Sequence, residues 1–161
     1  MKLNIRPIEK SDNPLLSKII KDIFIEFEAP KMGTVFSDPT TNDLFKVFEK
    51  DRSICWIGEI EGKVMGCCGI YPTSGLDENC CELVKFYLHK EARGQGLGRA
   101  LLKQCEASAI NLGYEEIYIE SLPEFEKAVG MYEEAGYRWL DKAIGDSGHF
   151  GCTVYMIKDL V

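Results

Sequence analysis

The spacing of hydrophobic positions changes several times along the chain, and each change marks an element. Leu3, Ile5 and Pro7 alternate with Lys2, Asn4 and Arg6, the two-residue period of a strand over residues 2–8. Asn13 then reads as a helix cap with Pro14 at the first helical position. Leu16, Ile19, Ile20, Ile23, Phe24 and Phe27 follow at helical spacing until the stretch 28–33, with Pro30 and Gly33, breaks the pattern. A short second helix is predicted from Thr40 or Thr41, carrying Leu44, Phe45 and Phe48. Residues 54–59 and 63–71 read as a hairpin across Glu61-Gly62, and 72–79 as a loop. An apolar strand is predicted over 80–89, then a glycine-rich turn. The next helix places Leu97, Leu101, Leu102, Cys105 and Ala109 on one face, and Gly113 stops it. A strand over 114–120, with Ile117 and Ile119 facing one way, precedes a helix over 124–135 that Gly136 ends. Residues 137–141 and 151–157 are the last strands, flanking the loop 142–150.

The order is β-αα-βββ-α-β-α-ββ. Strands and helices mixed in this way predict an α/β (α+β) fold, a mixed central sheet flanked by helices on both faces. At 161 residues and 45% hydrophobic, the chain has the size and core of a single domain, 1–161. There are no repeats. No apolar run reaches the roughly 18 residues of a membrane span, and the first residues lack the apolar centre of a secretion signal. A cytoplasmic location is therefore expected.

Seven cysteines are an odd number, and two pairs are sequence neighbours within strand-like runs, Cys67-Cys68 and Cys80-Cys81. This usage fits reduced core thiols rather than a disulfide framework. With two histidines, and His149-x-x-Cys152 as the nearest ligand-like pair, no metal site is expected. The net charge of −7 argues against nucleic acid and suits a cationic amine substrate through steering.

The chemistry concentrates around Gly94, Gly96 and Gly98. A strand, a tight glycine loop and a helix N-terminus leave backbone amides unpaired and favour an anion, as a pyrophosphate site requires. Arg93 and Arg99 flank it. The dinucleotide fingerprint fails, because the third glycine comes one position early and Arg99 stands in its place. A Walker A loop fails too, since Gly58 to Gly62-Lys63 is one residue short and Val64 follows. Arg93-x-x-Gly96-x-Gly98 instead resembles the acetyl-CoA loop of the GNAT superfamily of N-acetyltransferases, [QR]-x-x-G-x-[GA], with Leu88 at the family's aliphatic position before Arg93. Ala128-Val129-Gly130-Met131-Tyr132-Glu133-Glu134-Ala135-Gly136-Tyr137 resembles the family's second element, A-x-x-[LM]-Y-x-x-x-G-[FY]. The resemblance covers residues 54–140 well and the ends by layout only.

The resemblance implies acetyl transfer from acetyl-CoA to a primary amine of a small molecule or protein. The loop Arg93, Gly94, Gln95, Gly96, Leu97, Gly98 and Arg99 would hold the pyrophosphate. The backbone of Phe86, Tyr87 and Leu88 would pair with the pantetheine arm as an added strand. Glu82, six residues before Leu88, holds the place of a general-base glutamate in the histone-acetylating branch. In an apolar strand its pKa is expected to be raised. Tyr132 matches the tyrosine near the CoA sulfur. A phenol near pKa 10 protonates a thiolate near 8.5 only slightly uphill, and faster if it is acidified. Many members carry a CoA-contacting asparagine where Phe125 stands, so that contact is lost or taken by Ser121. The family's pocket layout makes Glu28, Asp38, Tyr71 and His149 the acceptor-side candidates. Direct transfer is expected, although the cysteines leave a ping-pong route open. The runner-up is a non-catalytic CoA-binding or regulatory module. A homodimer is left open.

Overall fold

The computed structural model describes residues 1–161. Its strands are β1 (Leu3–Pro7), β2 (Ile54–Ile60), β3 (Lys63–Tyr71), β4 (Cys80–Leu88), β5 (Glu116–Ser121), β6 (Arg138–Trp139) and β7 (Val154–Asp159). Its helices are α1 (Asn13–Glu26), α2 (Leu44–Val47), α3 (Leu97–Asn111) and α4 (Glu126–Glu134). The seven strands form one sheet in the order β1-β2-β3-β4-β5-β7-β6. Every neighbouring pair is antiparallel except β4–β5, which is parallel. The predicted element order holds.

Strand alternation divides the core between the two faces. On one face, α3 and α4 bury Leu97, Leu101, Cys105, Val129 and Tyr132 against Cys68, Ile70, Cys81, Leu83, Ile117 and Ile119. On the other, α1 buries Leu16, Ile20 and Phe24 against Leu44, Phe48, Cys55, Ile57 and Cys67. Cys67 and Cys68 therefore point to opposite faces, and all seven cysteines are buried free thiols.

Boundaries shift where a side chain finds a better partner than the expected one. The amide side chain of Asn13 does not cap α1; it accepts from Phe45 N at 2.9 Å and donates to Asp43 at 2.7 Å, joining α1 to α2. The second helix shrinks to one turn, because a 3-10 turn over Pro39–Asn42 precedes it and Asp43 caps what remains. Helix α4 starts at Glu126, two residues late. Phe125 leaves helical geometry, and its ring packs edge-on against Phe24, Phe27 and Tyr87. Strand β7 starts at Val154 rather than Gly151. The Gly151 amide donates instead to the Gly33 carbonyl at 2.8 Å, tying the last loop to the loop after α1.

The feature that positions the site is a gap in the sheet. β4 and β5 pair only from Cys80↔Glu116 to Leu83↔Ile119. Beyond Leu83 the edge of β4 facing β5 is unpaired. β4 also carries one extra residue against β3, since Cys67 faces Tyr87 while Gly69 faces Val84. Lys85 sits in this bulge at φ +57. A bulge bends its strand and raises the local twist, which accounts for the parting of β4 from β5.

Candidate active site

A cavity of about 490 Å³ fills the gap. Its walls are β4 from Glu82 to Leu88, β5 and its exit from Glu120 to Leu122, the glycine loop, and residues of α1 and α4.

The glycine loop closes one end. Gly94 and Gly96 have φ of +77 and +87, and a Cβ at either would meet nothing within 4 Å. They are glycines for conformation, and the space before them is open. Gly98 differs: a Cβ there would approach Leu88 Cδ1 at 3.1 Å and Met131 Cε at 3.2 Å, so its smallness lets α3 meet β4 and α4. The amides of Gly94 through Arg99 donate to no acceptor in the chain. The first amide closed by the helix is that of Ala100, on Gly96 O at 3.1 Å. Free amides at a helix N-terminus favour an anion.

The arginines beside it are less free than their sequence positions suggest. Arg93 donates to both Glu26 carboxylate oxygens, at 2.6 and 3.0 Å, and lies over the Phe27 ring. It fastens the loop to α1. Arg99 lines the cavity while pairing with Glu134 at 2.8 Å on an exposed surface. Gln95 and Leu97 contribute backbone only: the Gln95 side chain donates to Glu91 O, and the Leu97 side chain is in the core.

Glu82 lines the cavity and is 4% exposed. Burial pushes its carboxyl up to about 7, nearby Glu120 adds to the rise, and a hydrogen bond from the Thr73 hydroxyl at 2.7 Å restrains it. The expected elevation is present, and its cause is desolvation. Tyr132 lines the same cavity, with its ring against Phe86 and Tyr137. Its hydroxyl has no hydrogen-bond partner in the chain and is not sealed off from the cavity. Burial pushes this phenol up, not down. The acidification that would have made it a faster acid is not found, because apolar surroundings disfavour the phenolate.

The four acceptor-side candidates separate. His149 lines the cavity, and its Nε2 lies 2.8 Å from Asp38 Oδ2. Burial works against the Asp38 charge, but hydrogen bonds from His149 and Thr40 overcome it and hold the carboxyl at about 2. Asp38 thus stands behind His149. Glu28 is exposed past the end of α1 at φ +50, and Tyr71, opposite Glu82 in the β3–β4 ladder, packs its ring against Phe48. Neither lines the cavity. Phe125 and Ser121 both do, with the ring filling space beside Tyr87.

Lys85 and Glu120 are among the lining residues that sequence reasoning passed over. Lys85 interrupts the apolar run Leu83-Val84-Lys85-Phe86, and a lone lysine in a core strand was the available signal. Glu120 accepts from the Tyr118 hydroxyl at 2.6 Å and from Ser147, anchoring the loop that carries His149.

Comparison with known proteins gives a consistent result. The acetyltransferase (GNAT) family model matches residues 17–137. The uncharacterized N-acetyltransferase YjgM of Escherichia coli K12 is 31% identical over 157 residues, covering 97% of this chain and 94% of that one. A GNAT-family acetyltransferase structure from Staphylococcus aureus Mu50 superposes with a TM-score of 0.85 at 18% identity, covering 99% and 100% of the two chains. The putative acetyltransferase yncA of Salmonella typhimurium, solved with its cofactor acetyl-CoA, gives 0.78 at 18% identity over 100% of this chain and 95% of that one.

Proposed function

The chain belongs to the acetyltransferase (GNAT) family and is an acyltransferase, and on that premise we propose that it moves an acetyl group from acetyl-CoA directly to a primary amine in the gap between β4 and β5. The pyrophosphate sits on the free amides of Gly94 to Arg99, and the pantetheine arm runs along the unpaired edge of Phe86, Tyr87 and Leu88. The thioester then lies between Glu82 and Tyr132. The acetyl-CoA-bound relative of the same fold supports this donor.

The single observation that carries the reading is Glu82, a buried carboxyl held near 7 inside the cavity. A base with a pKa near the working pH is ionised in a useful fraction and still basic enough to take a proton. Glu82 takes the proton of the acceptor ammonium, directly or through water. The free amine attacks the thioester carbon, the C–N bond forms, and a backbone amide near Leu88 holds the oxyanion. The C–S bond breaks, and the electron pair leaves on sulfur. Tyr132 donates a hydrogen bond to that sulfur, whose own basicity rises in the same dry surroundings, and passes it a proton, while the second N–H proton shed by the new amide nitrogen returns through water to the tyrosine oxygen. Cys152 is the cysteine that lines the cavity, and burial pushes its thiol up to about 12. That protonated state favours direct transfer over a cysteine intermediate. His149, steadied by Asp38, contacts the acceptor.

The test is thiol release from acetyl-CoA against a panel of primary amines: peptide N-termini, lysine, polyamines, amino acids and aminoglycosides. At least one amine is expected to release thiol with a kcat/KM that rises through an apparent pKa near 7. Glu82→Gln is expected to lower it by about 10²–10⁴-fold and remove that limb. A Glu82→Gln enzyme of wild-type activity and pH profile would assign the base elsewhere.

A further inference from the structure

The cavity contains a buried lysine whose side-chain nitrogen has no counterion, and burial lowers its pKa. Lys85 is 8% exposed and lines the cavity, and its side-chain nitrogen makes no hydrogen bond or ion pair. Three partly buried cations elsewhere are ion-paired: Arg6 with Asp12 and Glu59, Arg93 with Glu26, Lys158 with Glu106. Lys85 has Asp38 and Glu82 in its surroundings, but neither is within ion-pair distance. Asp38 is taken by His149 and Thr40, and Glu82 by Thr73. No buried side-chain polar atom in the chain is both enclosed and unpartnered, so the Lys85 ammonium reaches the cavity surface.

Its backbone adds a second observation. Lys85 holds φ +57 at the β4 bulge, a conformation that L side chains adopt reluctantly. Bulges re-aim side chains, and strain of this kind persists where the surroundings impose it, often at ligand sites. Lys85 also belongs to the acceptor end. Its charged neighbours are Glu82 and Asp38 rather than residues of the glycine loop.

We infer that Lys85 is the anchor for a carboxylate on the acceptor, so that the substrate is a small zwitterion of the amino-acid class, with its amine toward Glu82 and Glu120 and its carboxylate on Lys85. This rests on the acetyl-transfer reading above and narrows its acceptor. The ligand supplies the counterion that the fold withholds, and an acceptor lacking a carboxylate leaves the cation unpaired. A cavity of about 490 Å³ shared with the pantetheine end suits an acceptor of this size.

The test compares proteinogenic L-amino acids with their carboxamides, titrated calorimetrically into protein saturated with CoA. Each pair differs only in the group that would meet Lys85. At least one acid is expected to bind about 10–100-fold more tightly than its carboxamide. Lys85→Met, which keeps the apolar stem, is expected to bring the pair within about twofold and leave CoA affinity unchanged. The wild-type comparison stands alone should the variant fold poorly. CoA that binds with no acid preferred over its carboxamide overturns the Lys85 assignment alone, as does a preference that survives in Lys85→Met. CoA that does not bind overturns the transferase reading and this inference with it.

Discussion

Glu82 illustrates how one residue couples stability to function. Its carboxyl titrates near 7 in the folded protein against 4.5 as a free side chain, because the cavity wall strips its solvent. A carboxyl raised in this way binds its proton more tightly when folded. Its contribution is most favourable below the unfolded value and declines as the pH climbs from about 4.5 through 7. The full cost of ionising it is about 3 kcal/mol. Glu82→Gln keeps the shape and can still accept from Thr73, so the variant should melt higher than wild type at pH 8.5, with the gap closing toward pH 4.5. A gap independent of pH would mean that Glu82 is not desolvated in solution. At this scale the sequence was partly legible. A carboxylate inside an apolar strand announced its own burial. Glu28 did not announce its placement, because a loop residue's position depends on contacts far along the chain, and Tyr71 did not, because its ring's aim depends on its packing against Phe48. Lys85 went unread because its aim comes from a bulge, which residue spacing alone does not reveal.

The loop from Arg93 to Arg99 and helix α3 act together as one element. Gly94 and Gly96 supply the left-handed turns, Gly98 the close approach to Leu88 and Met131, and the free amides the surface on which we place the pyrophosphate. Acetyl-CoA at about 100 times its dissociation constant should stabilise the protein by about 2.7 kcal/mol, a melting shift of roughly 5–10 °C for a chain of this size. Gly96→Glu should abolish that shift by placing bulk and negative charge at the pyrophosphate. With no atom within 4 Å of a Cβ there, the variant meets backbone strain but no clash, and it should still fold. A Gly96→Glu protein that retains the shift would move the cofactor elsewhere. The glycine spacing and helical face of this element were legible because they are local features, whereas the ties of Arg93 to Glu26 and of Arg99 to Glu134 were not. The edges of α2, α4 and β7 were not. They are settled by Asn13, Phe125 and Gly151 finding partners distant in sequence.

At the scale of the molecule, the site exists because two strands that begin side by side do not stay paired. β4 and β5 hold register for Cys80 to Leu83, then part around the bulge, leaving the following edge of β4 unpaired by β5. The order of elements anticipated the layout of the sheet. The gap itself was implied only through family resemblance, because register between strands more than thirty residues apart is a tertiary property. Hydrogen–deuterium exchange with and without acetyl-CoA tests this central claim most directly, since it maps every backbone segment at once. Acetyl-CoA should slow exchange in peptides spanning 84–88 and 93–99, with little change in β1, β2 and β6. Protection absent from both of those segments, or concentrated elsewhere in the chain, would contradict the placement of the donor between β4 and β5.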